Sequence, residues 1–141
     1  MMKRVAAVLV LLSSAAAAQQ SASASLRKML DEQTAAWNRG DLEGFMQSYW
    51  HSPELTFFAG ATLLRGWEAT LQRYRDKYQR GREMGRLSFS DESLEMFGSD
   101  AAVYEARWHL AMPDGKQLEG LTTVVCRHMK DGWKIVHDHS S

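Results

Sequence analysis

The chain ends in DGWKIVHDHSS, where His137 and His139 flank Asp138. Histidines two apart on a strand project to the same face, so both rings could aim at one zinc ion. A structural zinc site needs four ligands, and only these two are securely co-facial, with His109 or Glu119 as candidates for a third. We therefore expect no bound metal, and we expect the tail histidines to border a pocket or a subunit contact.

A proton relay is the other chemistry that this tail suggests. Such a relay requires a carboxylate that orients a histidine. Asp138 alternates with His137 and His139 along the strand and projects to the opposite face. It is therefore expected not to orient either ring inside one pocket.

The segment VYEARWHL carries a second row of chemically active side chains. In extended form it places Glu105, Arg107 and His109 on one face, opposite a mainly apolar face. The ionisable row could face water, as one face of an antiparallel sheet often does, or it could face an interior pocket. In a pocket, Arg107 would anchor an acidic ligand, because bidentate pairing with Glu105 along the strand would be strained. The opposite face, which includes Tyr104 and Trp108, would then pack a core or a second subunit.

Three helices are predicted before the main run of strands. The first begins at Leu26 and ends at Gly40, and Asp41 caps the second. Apolar residues recur at helical spacing in this second helix until Pro53 ends it. The third follows Gly66, and its apolar face carries Trp67, Leu71, Tyr74 and Tyr78.

From Gly85 onward, alternation typical of strands replaces the helical spacing. Four strand-length segments follow, and the turn sequences GSD, PDG and KDG separate them. Two shorter extended runs, broken around Gly60, precede the third helix. This order predicts an α+β domain in which three N-terminal helices pack on a curved, mainly antiparallel sheet.

The helices also carry candidate pocket residues. Trp37, Trp67 and Tyr74 lie at core-facing spacing and are predicted to form aromatic walls. A basic run on the third helix and its tail is interpreted as a solvated face, with an anion site as the alternative. The run consists of Arg73, Arg75, Lys77, Arg80 and Arg82.

Three segments resemble the SnoaL-like branch of the nuclear transport factor 2-like superfamily: AAWNRGDLEGFM, GWEATLQRY and DGWKIVHDHSS. The resemblance covers Leu26 to Ser141 and implies a cone-shaped fold with an interior pocket. The pattern also resembles the association domain of calcium/calmodulin-dependent protein kinase II. There the arginine that aligns with Arg107 lies in the interior pocket, so the resemblance implies that Arg107 does too. The superfamily supports many functions, and the resemblance implies no particular one.

Steroid isomerases of this fold allow one direct comparison. They use a tyrosine on the first helix and two acids on strands. Counted from the shared GDL, the tyrosine position holds Gln33, the base falls at Phe57 or Phe58, and the second acid falls at Val125 or Cys126. Because those groups are absent, the resemblance does not extend to this activity.

The first residues have the layout of a secretory signal peptide. Lys3 and Arg4 precede an apolar run, and Ala16 to Ala18 form a small-residue cleavage site. We expect a signal peptide at 1–18, a linker at 19–25 and one domain at 26–141. The apolar run is too short to span a bilayer comfortably, so the mature chain is expected to be periplasmic or secreted, with no membrane contact.

Composition narrows the classes of partner. The 17 basic and 17 acidic residues balance, which gives no electrostatic footprint for nucleic acid. Cys126 is the single cysteine, so stability must come from the core or from self-association, and a dimer or larger assembly is expected.

These observations predict a protein that binds a small organic molecule, with an anionic ligand favoured if Arg107 lies in the pocket. No cofactor is expected. One alternative is a lyase, isomerase or hydrolase that uses His109, His137 or Glu105 for acid–base chemistry. Another is an oligomerisation scaffold without a ligand.

Overall fold

The computed structural model describes residues 2–79 and 84–141. The helices are α1 (Met2–Asn38), α2 (Leu42–Met46) and α3 (Trp67–Tyr74), and a π-helical turn (Arg75–Gln79) continues α3. The strands are β1 (Thr56–Ala59), β2 (Thr62–Arg65), β3 (Arg86–Phe97), β4 (Ala101–Ala111), β5 (Gln117–Met129) and β6 (Gly132–Ser140). The predicted α+β domain, with its helices on a mainly antiparallel sheet, is confirmed.

The junction between α1 and α2 follows from its local sequence. Gly40 has φ 79°, and its N–H donates to the carbonyl of Trp37 while the N–H of Asp41 donates to Ala36. This pair of bonds is the Schellman termination, which favours glycine because a side chain strains a positive φ. The carboxylate of Asp41 then accepts from the N–H of Gly44 at 2.8 Å and caps α2.

Helix α2 is much shorter than predicted, because the chain leaves it to pair with β6. It ends at Met46, whereas apolar spacing predicted a helix that continues to Pro53. The N–H of Ile135 donates to Ser48, and the N–H of Trp50 donates back to Ile135. This short parallel bridge satisfies backbone groups that a longer helix would have used internally.

The six strands form one open sheet in the order β2-β1-β6-β5-β4-β3. All neighbouring pairs are antiparallel except β1 and β6, which run parallel. The helices cover one face of the sheet, which we call the inner face. The opposite face, the outer face, carries most of the charged strand residues.

Alternation along each strand determines which side chains enter the core. On β4, Tyr104, Ala106 and Leu110 are buried on the inner face, while Glu105 is exposed on the outer face. The inner face packs on apolar residues of the helices, including Leu26, Leu30, Trp37, Phe45 and Leu71.

The N-terminal segment is helical throughout its described length. Residues 19–25, which were predicted to be a linker, lie inside α1, and the first fully buried side chain among those that the structure describes is Leu26. Serine and alanine do not interrupt a helix, so the composition of this stretch does not separate it from its neighbours. Within the described residues, no helix is long and apolar enough to cross a membrane.

Candidate functional site

A cavity of about 330 Å³ lies between the helices and the inner face of the sheet. Its lining is dominated by aromatic side chains from helices and strands, among them Trp37, Phe45, Tyr49, Phe57, Tyr74 and Trp108. Apolar walls around a few polar groups are typical of sites for small organic molecules.

Asp138 on β6 is the polar centre of this cavity. Its side chain is only 3% exposed, and it is the one acidic side chain among the described residues that line the cavity. The Tyr49 hydroxyl donates to Oδ2 at 2.6 Å, and the Ser140 hydroxyl donates to Oδ1 at 2.7 Å. Thr122 Oγ1 lies 3.4 Å from Oδ1. Tyr74 extends the network, because its hydroxyl oxygen is 3.4 Å from that of Tyr49.

Burial changes the ionisation of this network. Desolvation raises the pKa of Asp138 above its ordinary value, and the hydrogen bonds from Tyr49, Ser140 and Thr122 partly oppose the shift. Burial, followed by the charge of Asp138, raises the pKa of both Tyr49 and Tyr74 far above the ordinary tyrosine value. Both tyrosines are therefore neutral, and each hydroxyl keeps its proton for a hydrogen bond.

A β-bulge in β6 turns Asp138 into the cavity. Val125 pairs with His137, whereas the next residue, Cys126, pairs with Ile135, so Val136 is an extra residue on β6. Trp133 and Ile135 face inward, and simple alternation would send His137 inward and Asp138 outward. The extra residue reverses this parity, so that Asp138 and Ser140 face the cavity.

The tail histidines consequently lie on the outer face, and the expectation that they border the pocket is wrong. His137 Nδ1 is 2.6 Å from the hydroxyl of Thr56 on β1. Both rings pack edge-on against Phe58. Among the described residues, no group of three or more His, Cys, Asp or Glu side chains is arranged to hold a metal.

The ionisable row of β4 also lies on the outer face, which corrects the expectation that Arg107 lies inside. Glu105, Arg107 and His109 point away from the cavity, because burying the alternate apolar face costs far less than burying three ionisable groups. The sequence also left open that this ionisable row faces water, and that interpretation holds. Tyr104 is buried in the core and Trp108 packs against it, as expected of a core-facing surface, and both also line the cavity.

The helical aromatics divide between two roles. Trp37 and Tyr74 line the cavity, as predicted. Trp67 does not: its indole N–H donates to the carbonyl of Met46 at 2.9 Å, and its ring stacks on His51. Trp67 therefore attaches α3 to α2, outside the cavity.

Two cations of the basic run line the cavity on the side of α3. Arg73 and Lys77 are one helical turn apart and both contribute to its wall. Within the described part of the chain, no carboxylate forms an ion pair with either one. Arg75 instead pairs with Glu43 at 2.8 Å, while Arg80 and Arg82 lie outside the described residues.

Sequence reasoning thus missed Asp138 and Tyr49 as site residues. A single strand shows no sign of a bulge, since the extra residue is defined only by pairing with β5. Tyr49 lies within the apolar run of the predicted second helix, which indicates a core position. The available signal was a polar hydroxyl in that run, because a buried tyrosine hydroxyl needs a partner.

Residues 26–141 match the SnoaL-like domain family. A nuclear transport factor 2-like protein of unknown function from Shewanella oneidensis is 32% identical, with a TM-score of 0.78 over 84% of this chain and 98% of that one. A nuclear transport factor 2-like superfamily protein from Salmonella enterica serovar Typhimurium is 22% identical, with a TM-score of 0.68 over 86% and 91% of the two chains. A cystatin-like fold protein from Burkholderia xenovorans is 24% identical, with a TM-score of 0.70 over 87% and 92%.

No curated protein matches the chain. The family match covers the whole region from the first buried helical residue to the last residue of β6, including every residue of the Asp138 network. The chain therefore belongs to the SnoaL-like domain family of the nuclear transport factor 2-like superfamily.

Proposed function

We propose that this protein binds a small, largely apolar organic molecule in the cavity around Asp138. The observation that carries this proposal is an aromatic-walled cavity that surrounds a buried, hydrogen-bonded carboxyl group. Its volume of about 330 Å³ suits a compact ligand, of the size of one or two rings. An open cavity argues against the alternative of a scaffold without a ligand.

The directions of the hydrogen bonds indicate what the ligand offers. An ionised Asp138 only accepts, so Tyr49 donates its proton to it. The Tyr49 oxygen then accepts from Tyr74, which leaves the lone pairs of the Tyr74 oxygen for another donor. A hydroxyl or amine on the ligand would complete this chain.

Two further groups favour an acceptor or anion elsewhere on the ligand. Gln33 is 7% exposed at the cavity wall, and its buried Nε2 has no hydrogen-bond partner among the residues that the structure describes. Arg73 and Lys77 take the role first expected of Arg107. A carboxylate near α3 would gain charge-assisted hydrogen bonds from them.

Calorimetric titration with a panel of ring compounds tests this proposal. The panel would contain aromatic acids with a hydroxyl, the same acids without it, and their neutral amides. Tyr74→Phe should weaken binding of the hydroxylated compounds by about 0.5–1.5 kcal/mol, the value of a neutral hydrogen bond. Arg73→Gln should weaken binding of the acids by about 1.5–3 kcal/mol.

Arg127→Gln is the matched control, because Arg127 is exposed on the outer strand surface. Equal losses in Arg127→Gln and Arg73→Gln would contradict an anion site at α3. Binding that is unchanged in every cavity variant would contradict the cavity as the binding site.

A second candidate is catalysis in the same cavity. The acid–base groups expected from sequence, Glu105, His109 and His137, do not line it. Asp138 does, and burial raises its pKa, which is common for catalytic acids and bases. Mass spectrometry of the recovered ligand distinguishes the two functions: a ligand transformed by the wild type but not by Asp138→Asn supports catalysis.

We also propose that the chain is exported, on the strength of the tripartite pattern in residues 1–18. N-terminal sequencing of material from the periplasm or medium tests this. A chain that begins near Gln19 supports export, and an intact Met1 in the exported fraction contradicts cleavage.

A further inference from the structure

A second constellation of reactive side chains lies on the outer face, across β3, β4 and β5. The Ser90 hydroxyl is 2.7 Å from His109 Nε2, and His109 Nδ1 is 3.3 Å from Glu119 Oε2. A serine hydroxyl, a histidine ring and a carboxylate therefore lie next to one another in that order. None of these three residues lines the cavity around Asp138.

The ring of His109 can adopt only one neutral arrangement that satisfies both neighbours. An ionised Glu119 accepts and cannot donate, so its charge, 3.3 Å from Nδ1, favours the tautomer in which Nδ1 carries the ring proton. Nε2 is then the unprotonated nitrogen and accepts from the Ser90 hydroxyl. This is the arrangement in which a histidine can remove a serine proton while a carboxylate orients the ring.

The register of the sheet produces this alignment. His109 is directly opposite Glu119 on β5 and opposite Ser88 on β3, one same-face position away from Ser90. Ser90 itself is directly opposite Arg107. The next residue, Asp91, has φ 52°, and the extra residue of a β-bulge lies between Ser90 and Ser93. Bulges and positive φ values in non-glycine residues recur at functional sites.

Arg107 supplies a positive charge beside the serine. Its Nε is 3.4 Å from Asp91 Oδ2, and its Nη1 is 3.9 Å from Glu119 Oε1. Neither contact is a short bidentate pair, so guanidinium donors remain for another anion. Opposite Ser90, that anion could be the oxygen of a tetrahedral intermediate.

We propose that Ser90, His109 and Glu119 form a hydrolytic site for small carboxylic esters, with Arg107 as the stabiliser of the oxyanion. The site is independent of the cavity and of its ligand. It lies on the open outer face of the sheet, where the Glu119 side chain is 61% exposed, so it takes short, water-soluble acyl esters and not large ones.

The reaction balances with water as the only co-reactant. The Ser90 oxygen bonds to the ester carbonyl carbon while its proton passes to His109 Nε2, and the carbonyl oxygen becomes an oxyanion beside Arg107. Collapse breaks the bond to the alkoxy group, which leaves as the alcohol with the His109 proton. Water then attacks the acyl-serine with His109 again as base, which releases the carboxylic acid and restores the hydroxyl.

Two measurements on the purified full chain test the proposal. The first is hydrolysis of p-nitrophenyl acetate above the buffer blank. The second is covalent labelling by a fluorophosphonate, located by peptide mass spectrometry. We expect the label on Ser90, and we expect Ser90→Ala and His109→Gln each to lower hydrolysis by about 10²-fold, the contribution typical of such groups.

Two matched controls are available. Ser88→Ala removes a neighbouring exposed hydroxyl on the same face, and His128→Gln removes an exposed histidine at the end of β5, away from the site. Both should keep full labelling and hydrolysis, and circular dichroism should show the same fold in all four variants. Hydrolysis no faster than the blank, labelling of Ser88 instead of Ser90, or equal losses in test and control variants would each overturn the proposal.

Discussion

Asp138 is a buried acid whose charge is only partly compensated, and this has a consequence for stability. Its pKa is higher in the folded chain than in the unfolded one, because burial disfavours the charged form. As pH rises from the ordinary aspartate pKa, about 3.9, towards the raised folded value, the unfolded chain loses this proton first. Stability therefore falls across that window and stays reduced above it.

Asp138→Asn should for this reason be more stable than the wild type at pH 7. The amide keeps an acceptor for Tyr49 and gains a donor for the Ser140 hydroxyl, and it carries no charge. We expect a melting temperature higher by about 3 °C or more, which is roughly 1 kcal/mol in a domain of this size. Calorimetric scans from pH 4 to pH 8 check this, and an advantage that does not grow with pH would contradict the explanation.

Tyr49→Phe should have the opposite effect. The substitution removes the 2.6 Å donor to Asp138 and leaves Oδ2 buried without a partner. We expect a loss of about 1–3 kcal/mol in the free energy of unfolding at pH 7. Urea titration measures it. Combined with Asp138→Asn, the loss should shrink, and strict additivity of the two changes would contradict a direct interaction.

At the scale of elements, the turn between α1 and α2 depends on Gly40. A Cβ there would meet no atom within 4 Å, so substitution acts only through backbone conformation. Gly40→Ala should cost about 1 kcal/mol because φ is positive. Glu32→Ala, at an exposed position of α1, should change stability by less than about 0.5 kcal/mol. Equal losses of stability in Gly40→Ala and Glu32→Ala would contradict the explanation that the positive φ of Gly40 requires glycine.

Element boundaries were predictable wherever a local signal marks them. Gly40 and Asp41 mark the first helix junction, and the turns of the last four strands contain Gly98, Gly115 and Gly132. The early end of α2 was not predictable, because it depends on a backbone bond between Ser48 and a strand nearly ninety residues later. Local spacing carries no information on that partner.

Side-chain direction was predictable only within an uninterrupted strand. The prediction that Glu105, Arg107 and His109 share one face of β4 is correct. That this face is the outer one follows only once the apolar residues of the opposite face are known to pack on the helices. In β6 the bulge at Val136 inverts that alternation. Asp138, which was expected on the face opposite the tail histidines, therefore lies at the centre of the pocket. Cys126 is buried, and burial raises the pKa of its thiol to about 12.

At the scale of the whole molecule, the domain should not need residues 1–18. Exposed side chains occupy α1 from Ser13 to Ser21, and buried contacts begin near Leu26. A chain that starts at Gln19 should therefore melt within about 2 °C of the full chain. Differential scanning calorimetry of both chains checks this, and a much lower melting temperature would show that the first residues stabilise the fold.

Self-association remains a prediction. It can no longer use the face that carries Tyr104 and Trp108, because both line the cavity. Leu63 on β2 is 53% exposed on the outer face, directly opposite the half-buried Phe58. A dimer would cover this apolar strip, which lies on the opposite half of the sheet from Ser90. Sedimentation at micromolar concentration should show a dimer that Leu63→Lys dissociates, whereas Arg65→Ala, an exposed neighbour, should have little effect.

The bulge next to Ser90 also affects how copies of this chain meet in concentrated solution. β3 is an edge of the open sheet and is 12 residues long, long enough to recruit a strand from another molecule through its free backbone groups. The bulge interrupts that edge near its middle, at the two carboxylates of Asp91 and Glu92. Only two short runs of regular edge remain, one on each side. Fibre-like growth through β3 is thereby disfavoured, and contacts between copies are left to the other edge, β2, or to the face of the sheet.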